Sequence, residues 1–80
     1  MLEELNIDKK FVGFKQSLKA VNEGTAIKAF IAEDADKKMT ESFSLSCNKK
    51  NIPIETVATM KELGAACGIS IGTAVAVIVK

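Results

Sequence analysis

Apolar and polar positions along this 80-residue chain follow two periods, and each switch between them marks an element. Leu2 and Leu5 stand three apart among acids, which predicts a short first helix ending near residues 7–10. Phe11 and Val12 predict a brief strand that stops at Gly13. Beyond it Phe14, Leu18 and Val21 recur at helical spacing, the mark of a helix that buries one stripe and runs to about Asn22. Gly24 closes that helix, and residues 27–32 follow as a buried strand centred on Phe30 and Ile31. Asp36 is placed to cap a helix with Met39, Phe43 and Cys47 on one face. Lys49 and Lys50 complement the negative end of its dipole, and Asn51 and Pro53 stop it.

Residues 54–57 read as the next strand. Thr59 with Glu62 three positions on is a capping box, opening a helix that buries Met60, Leu63, Ala66 and Cys67 and ends at Gly68. Residues 74–79 are apolar throughout, which requires cover on both faces and predicts an interior strand. These elements make an α/β fold in which helices sandwich a sheet. Before the last strand, Ile69 and Ile71 lie in a loop bracketed by Gly68 and Gly72. They either fold back onto the core or present an apolar edge to a partner.

Length makes this a single domain, residues 1–80, with a core too thin to surround a large ligand, so function is expected on a surface. The longest apolar run, residues 74–79, is far short of the roughly 20 residues of a membrane span. The acidic start of the chain fits neither a signal peptide nor an anchor, so no membrane partner is expected. Cys47 and Cys67, with no C-x-x-C and no histidine, do not form a zinc set and read as core residues of a protein kept in a reducing cytoplasm.

The formal net charge of +1 conceals an uneven distribution. Residues 1–8 carry three acids and no base, whereas residues 9–22 carry Lys9, Lys10, Lys15 and Lys19 and no acid. Lys15 and Lys19 share the helix face that the apolar stripe leaves free, so with Gln16 they can address one partner together. Every base is a lysine, which suits point contacts to phosphates better than forked recognition. With Phe11, Phe14, Phe30 and Phe43 as the only aromatics, most of them claimed by the core, a stacking platform for single strands is hard to build. Structured RNA read by shape fits better.

Catalytic chemistry finds little support. Glu33, Asp34 and Asp36 cluster as carboxylates around a metal could, but they stand where acids cap a helix. Cys67 has no histidine to serve as its base. Neither a Walker motif nor a dinucleotide fingerprint is present, so no enzyme activity, cofactor or small-molecule substrate is expected. The turn at Gly13 remains: free helix amides beside lysines make an edge suited to a phosphate backbone.

Four stretches, taken in order, also resemble a known family. They are residues 12–21 (VGFKQSLKAV), residues 30–36 (FIAEDAD), residues 52–54 (IPI) and residues 61–68 (KELGAACG) followed by the hydrophobic close. The chain is similar over nearly its whole length to the kink-turn RNA-binding proteins related to archaeal ribosomal protein L7Ae, and most of all to the short bacterial members. The resemblance implies a three-layer α/β/α sandwich around a four-stranded mixed sheet. It implies binding to kink-turns, in which a three-nucleotide bulge lies beside tandem sheared G·A pairs, and a ribosome-associated role; nothing in 80 residues demands a partner subunit, so a monomer is expected.

On the same resemblance, Gly13, Lys15, Gln16 and Lys19 match the turn and helix start that recognise the G·A pairs. Archaeal members usually carry Asn and Glu where this chain has Lys15 and Gln16, and short bacterial members share Lys-Gln. Ile69, Ser70, Ile71, Gly72 and Thr73 match the loop that packs on the bulged nucleotides. Glu23 stands where relatives often carry a base and sets one unfavourable charge near the phosphate path. The alternative from the residues alone is a protein-interaction module that uses residues 69–73 and never touches RNA.

Overall fold

A computed structural model describes residues 9–80. In chain order the elements are β1 (Lys10–Val12), α1 (Phe14–Glu23), β2 (Ala26–Ala32), α2 (Lys37–Lys49), β3 (Ile54–Val57), α3 (Met60–Ala66) and β4 (Val75–Val79). The helix expected around Leu2 and Leu5 lies outside the described residues, and Lys10, near its expected end, already belongs to β1.

The four strands form one mixed sheet in the order β1-β4-β2-β3. β4 runs antiparallel to both β1 and β2, and β3 runs parallel to β2 after the crossover through α2. The uniformly apolar β4 therefore takes the interior place its sequence demands. Val75 and Val77 face α1 and α2, in a core with Ala20, Val21, Ala29, Phe43 and Cys47. Ala76 and Ile78 face α3, in a second core with Phe30, Val57, Leu63 and Cys67. Three layers result: α1 and α2, the sheet, then α3. Phe30 and Phe43 have no exposed surface, and each contributes about 1.5–3 kcal/mol by leaving water.

Boundaries follow local chemistry. Gly24 ends α1 in the left-handed region, its amide donating to the carbonyls of Ala20 and Val21. The Asp36 carboxylate caps α2 by accepting from the Lys38 amide at 2.9 Å, and the Thr59 hydroxyl caps α3 by accepting from the Glu62 amide at 3.0 Å. Two positions depart from the simple pattern. Ile27 was expected in a buried strand but is 48% exposed, at the irregular register between Ala26 and Lys28, where the ladder to β4 skips it. Ser17, a polar residue on α1, is fully buried, and its hydroxyl donates to the Phe11 carbonyl at 3.4 Å, a long contact that still meets its need for a partner.

Candidate functional site

The strand-to-helix turn between β1 and α1 is built around Gly13. Its backbone (φ 96°, ψ 160°) lies in a region open essentially to glycine alone, so residue type decides whether the chain can turn here. Having no side chain, Gly13 offers no cap to the first amides of α1, and the first turn holds no acid. These amides carry the positive end of the helix dipole. A Cβ at Gly13 would meet nothing within 4 Å, so the turn opens outward onto free space.

Lys15, Gln16 and Lys19 on the following turns are all exposed. Lys15 and Lys19 are one helical turn apart, with Gln16 beside them, so two positive charges and an amide that both donates and accepts project from the face beginning at Gly13. Glu23 sits at the other end of α1, about 13 Å along the axis from Phe14 by helical rise. At that distance salt largely screens its charge from anything bound at the first turn.

The loop of residues 69–73 reaches this turn through one atom. The amide of Gly13 donates to the carbonyl of Val75 at 3.1 Å, and the hydroxyl of Thr73 donates to the same oxygen at 2.9 Å. The loop is also pressed onto α3. The Thr73 amide donates to the Met60 carbonyl and the Ile69 amide to the Gly64 carbonyl, both at 3.1 Å. A methyl at Gly64 would collide with the carbonyl oxygen of Ile71, and a Cβ at Gly72 would lie 3.1 Å from Met60.

The two isoleucines of the loop therefore have different fates. Ile69 is half-buried and Ile71 is 74% exposed, so one anchors the loop while the other stands out as an apolar knob. Ser70 and Gly72 are exposed beside it. Thr73, expected among the contacting residues, is only 7% exposed with its hydroxyl occupied, so its side chain holds the loop rather than presenting it. The structure thus brings Gly13, Lys15, Gln16 and Lys19 to one helix start, with Ile69, Ser70, Ile71 and Gly72 on the loop bonded beside it.

Two contributors escape a linear reading. Asp34, in the turn after β2, accepts from the amide of Met60 at 2.8 Å across 26 positions of sequence, and so helps to cap α3 rather than its own helix. Gly64 is buried within α3 because the loop leaves no space for a side chain. A glycine inside a helical pattern was the available signal, since it costs about 1 kcal/mol against alanine and asks for a packing reason.

Among the described residues no group of three or more His, Cys, Asp or Glu side chains could hold a metal ion, and no helix is long and apolar enough to cross a membrane. Cys47 and Cys67 are buried free thiols, and burial pushes both pKa values up, that of Cys47 to about 11. For Cys67 the Lys10 charge opposes that rise in part. An apolar groove of about 470 Å³ runs between α2 and β3, lined by residues including Ile31, Leu45 and Ile54; none of the expected site residues lines it.

A model of the family described as ribosomal protein L7Ae/L30e/S12e/Gadd45 matches residues 3–80. The RNA-binding protein YbxF of Geobacillus stearothermophilus is 38% identical over 76 residues, covering 95% of this chain and 93% of that one. An RNA-binding protein of Caldanaerobacter subterraneus is 43% identical over 68 residues, 85% of this chain and 83% of its own. Among solved structures, the 15.5 kD RNA-binding protein of Giardia lamblia superimposes with a TM-score of 0.88 at 33% identity, over 99% of this chain and 68% of that one. A Bacillus halodurans protein of unknown function shares the fold, with a TM-score of 0.87 at 23% identity, over 99% of this chain and 83% of its own.

Proposed function

Since the chain belongs to the ribosomal protein L7Ae/L30e/S12e/Gadd45 family, we propose that it acts as a single, non-catalytic RNA-binding domain. Its target is a kink-turn, and its setting is the bacterial cytoplasm in association with the ribosome. The observation that carries this reading is the shared Val75 carbonyl, which holds an uncapped, lysine-flanked helix start against an exposed apolar loop. The first surface suits a phosphate backbone and the polar edges of G·A pairs, and the second suits unstacked bases. Lys15 and Lys19 supply charge, Gln16 reads a guanine edge, and Gly13 lets the backbone approach. Ile69, Ser70, Ile71 and Gly72 pack on the bulge, while Thr73 keeps their loop in place.

Titration against a short kink-turn RNA tests the reading, with the same duplex carrying Watson–Crick pairs in place of the G·A pairs as the control, at two salt concentrations. Tight binding to the first alone is expected. Lys19→Ala is expected to flatten the salt slope by about one unit if it meets a phosphate. Unchanged affinity in both Lys19→Ala and Gln16→Ala would remove the site from α1.

The exposure of Ile71 also favours a second reading, a docking loop for another protein. Salt separates the two, because apolar docking changes little with ionic strength whereas phosphate binding weakens steeply.

A further inference from the structure

An acid on a surface that binds RNA should be a liability, yet Asp34 is linked to the loop of residues 69–73 through two successive hydrogen bonds. Its carboxylate accepts from the Met60 amide at 2.8 Å. The Met60 carbonyl in turn accepts from the Thr73 amide at 3.1 Å, and Gly72 lies against the same residue. Asp34 is itself held in place. The neighbouring Glu33 amide donates to the Val57 carbonyl at 2.8 Å, and the Ala32 amide donates to the Ala74 carbonyl at 2.8 Å, one residue beyond the loop. The end of β2 and the turn after it are thus bonded to both ends of the path that carries Ile71: Asp34 to the first residue of α3, and Ala32 to Ala74, the residue just before β4.

We propose that Asp34 is a positioning residue for RNA binding, setting the place of the Ile71 loop relative to the α1 helix start by fixing the first amide of α3. The inference rests on the RNA-binding reading above and adds a determinant outside both contacting segments. Removing the acceptor frees the Met60 amide, loosens the first turn of a helix only seven residues long, and lets the loop bonded to that turn shift away from Gly13. The sign of the effect is diagnostic. If Asp34 acts only by charge, its removal strengthens binding, because a repulsion from phosphate is lost. If it acts by position, its removal weakens binding even though the surface becomes more basic.

The experiment measures kink-turn RNA affinity for the wild type, Asp34→Ala, Asp34→Asn, Ile71→Ala and the double variant Asp34→Ala/Ile71→Ala, with circular dichroism to verify that each is folded. Asp34→Ala is expected to bind about fivefold more weakly, the change that loss of an ordinary cap corresponds to. Asp34→Asn, whose amide oxygen can still accept, should remain within about twofold of wild type. In the Ile71→Ala background the Asp34→Ala loss should be clearly smaller, because the most exposed apolar group being positioned is already gone. Equal or tighter binding by Asp34→Ala, a loss in Asp34→Asn as large as in Asp34→Ala, or an undiminished loss in the Ile71→Ala background overturns the inference while wild-type binding leaves the RNA reading standing. Failure of the wild type to bind the kink-turn overturns both.

Discussion

Gly13 and Thr73, sixty positions apart in sequence, are joined by a single oxygen: the amide of one and the hydroxyl of the other both donate to the carbonyl of Val75. The start of α1 and the end of the loop at residues 69–73 therefore cannot shift independently without breaking a buried hydrogen bond. Both halves of the candidate site hang on the first residue of the interior strand β4, the part of the sheet with cover on both faces.

Replacing Thr73 by valine keeps the shape of the side chain and deletes the hydroxyl, which here has a buried partner. A stability loss of about 0.5–1.5 kcal/mol is expected from urea denaturation, since the Val75 carbonyl keeps the Gly13 amide as a donor. Kink-turn affinity should fall as well, although the side chain is buried. Unchanged affinity in Thr73→Val would separate loop position from binding.

Gly13→Ala tests backbone conformation apart from steric contact. Nothing lies within 4 Å of the added methyl, so any cost comes from holding a non-glycine residue at φ 96° and ψ 160°. About 1–3 kcal/mol of destabilisation is expected. Thermal or chemical denaturation indistinguishable from wild type would show that the turn relaxes without strain.

Gly64→Ala sets two effects of opposite sign against each other. Alanine favours an isolated helix by about 1 kcal/mol over glycine, but the methyl runs into the Ile71 carbonyl, and overpacking of this kind costs about 1–3 kcal/mol. Because the obstacle is backbone that is itself bonded to α3, the collision should win. Lower stability and weaker kink-turn binding are expected together; a more stable Gly64→Ala protein would mean that the loop yields freely.

The Cys47 thiol gives a pH-dependent check on the core. Burial raises its pKa from 9.0 to about 11, so between these values the folded protein keeps a proton that the unfolded chain gives up. The corresponding stability is fully present below pH 9 and is lost as the pH rises toward about 11. Denaturation across this range should show a shallower alkaline loss in Cys47→Ala than in wild type. Equal slopes would mean that the native Cys47 thiol ionises as readily as a solvated one.

Much of the architecture is legible along the chain because its signals are local. Gly24 ends α1, Asp36 starts α2 and Thr59 starts α3 through bonds to residues within a few positions, so residue type and spacing suffice to locate them. The unbroken apolar run in β4 likewise demands an interior strand, whichever strands flank it. Lys15 and Lys19 are assigned to an outward face by helical period alone, and both are exposed.

Other features depend on which distant segments the sheet brings together. The order β1-β4-β2-β3 sets Gly13 against Val75, and the packing of α3 gives Asp34 a helix to cap 26 residues away. No pattern among neighbouring residues could tell that Ile71 points outward while Ile69 is half-buried, that Thr73 turns inward, or that Ser17 is buried against Phe11. Backbone period and capping are decided within a turn or two of helix. The orientation of a loop is decided by hydrogen bonds and excluded volume between segments that meet only once the core has formed.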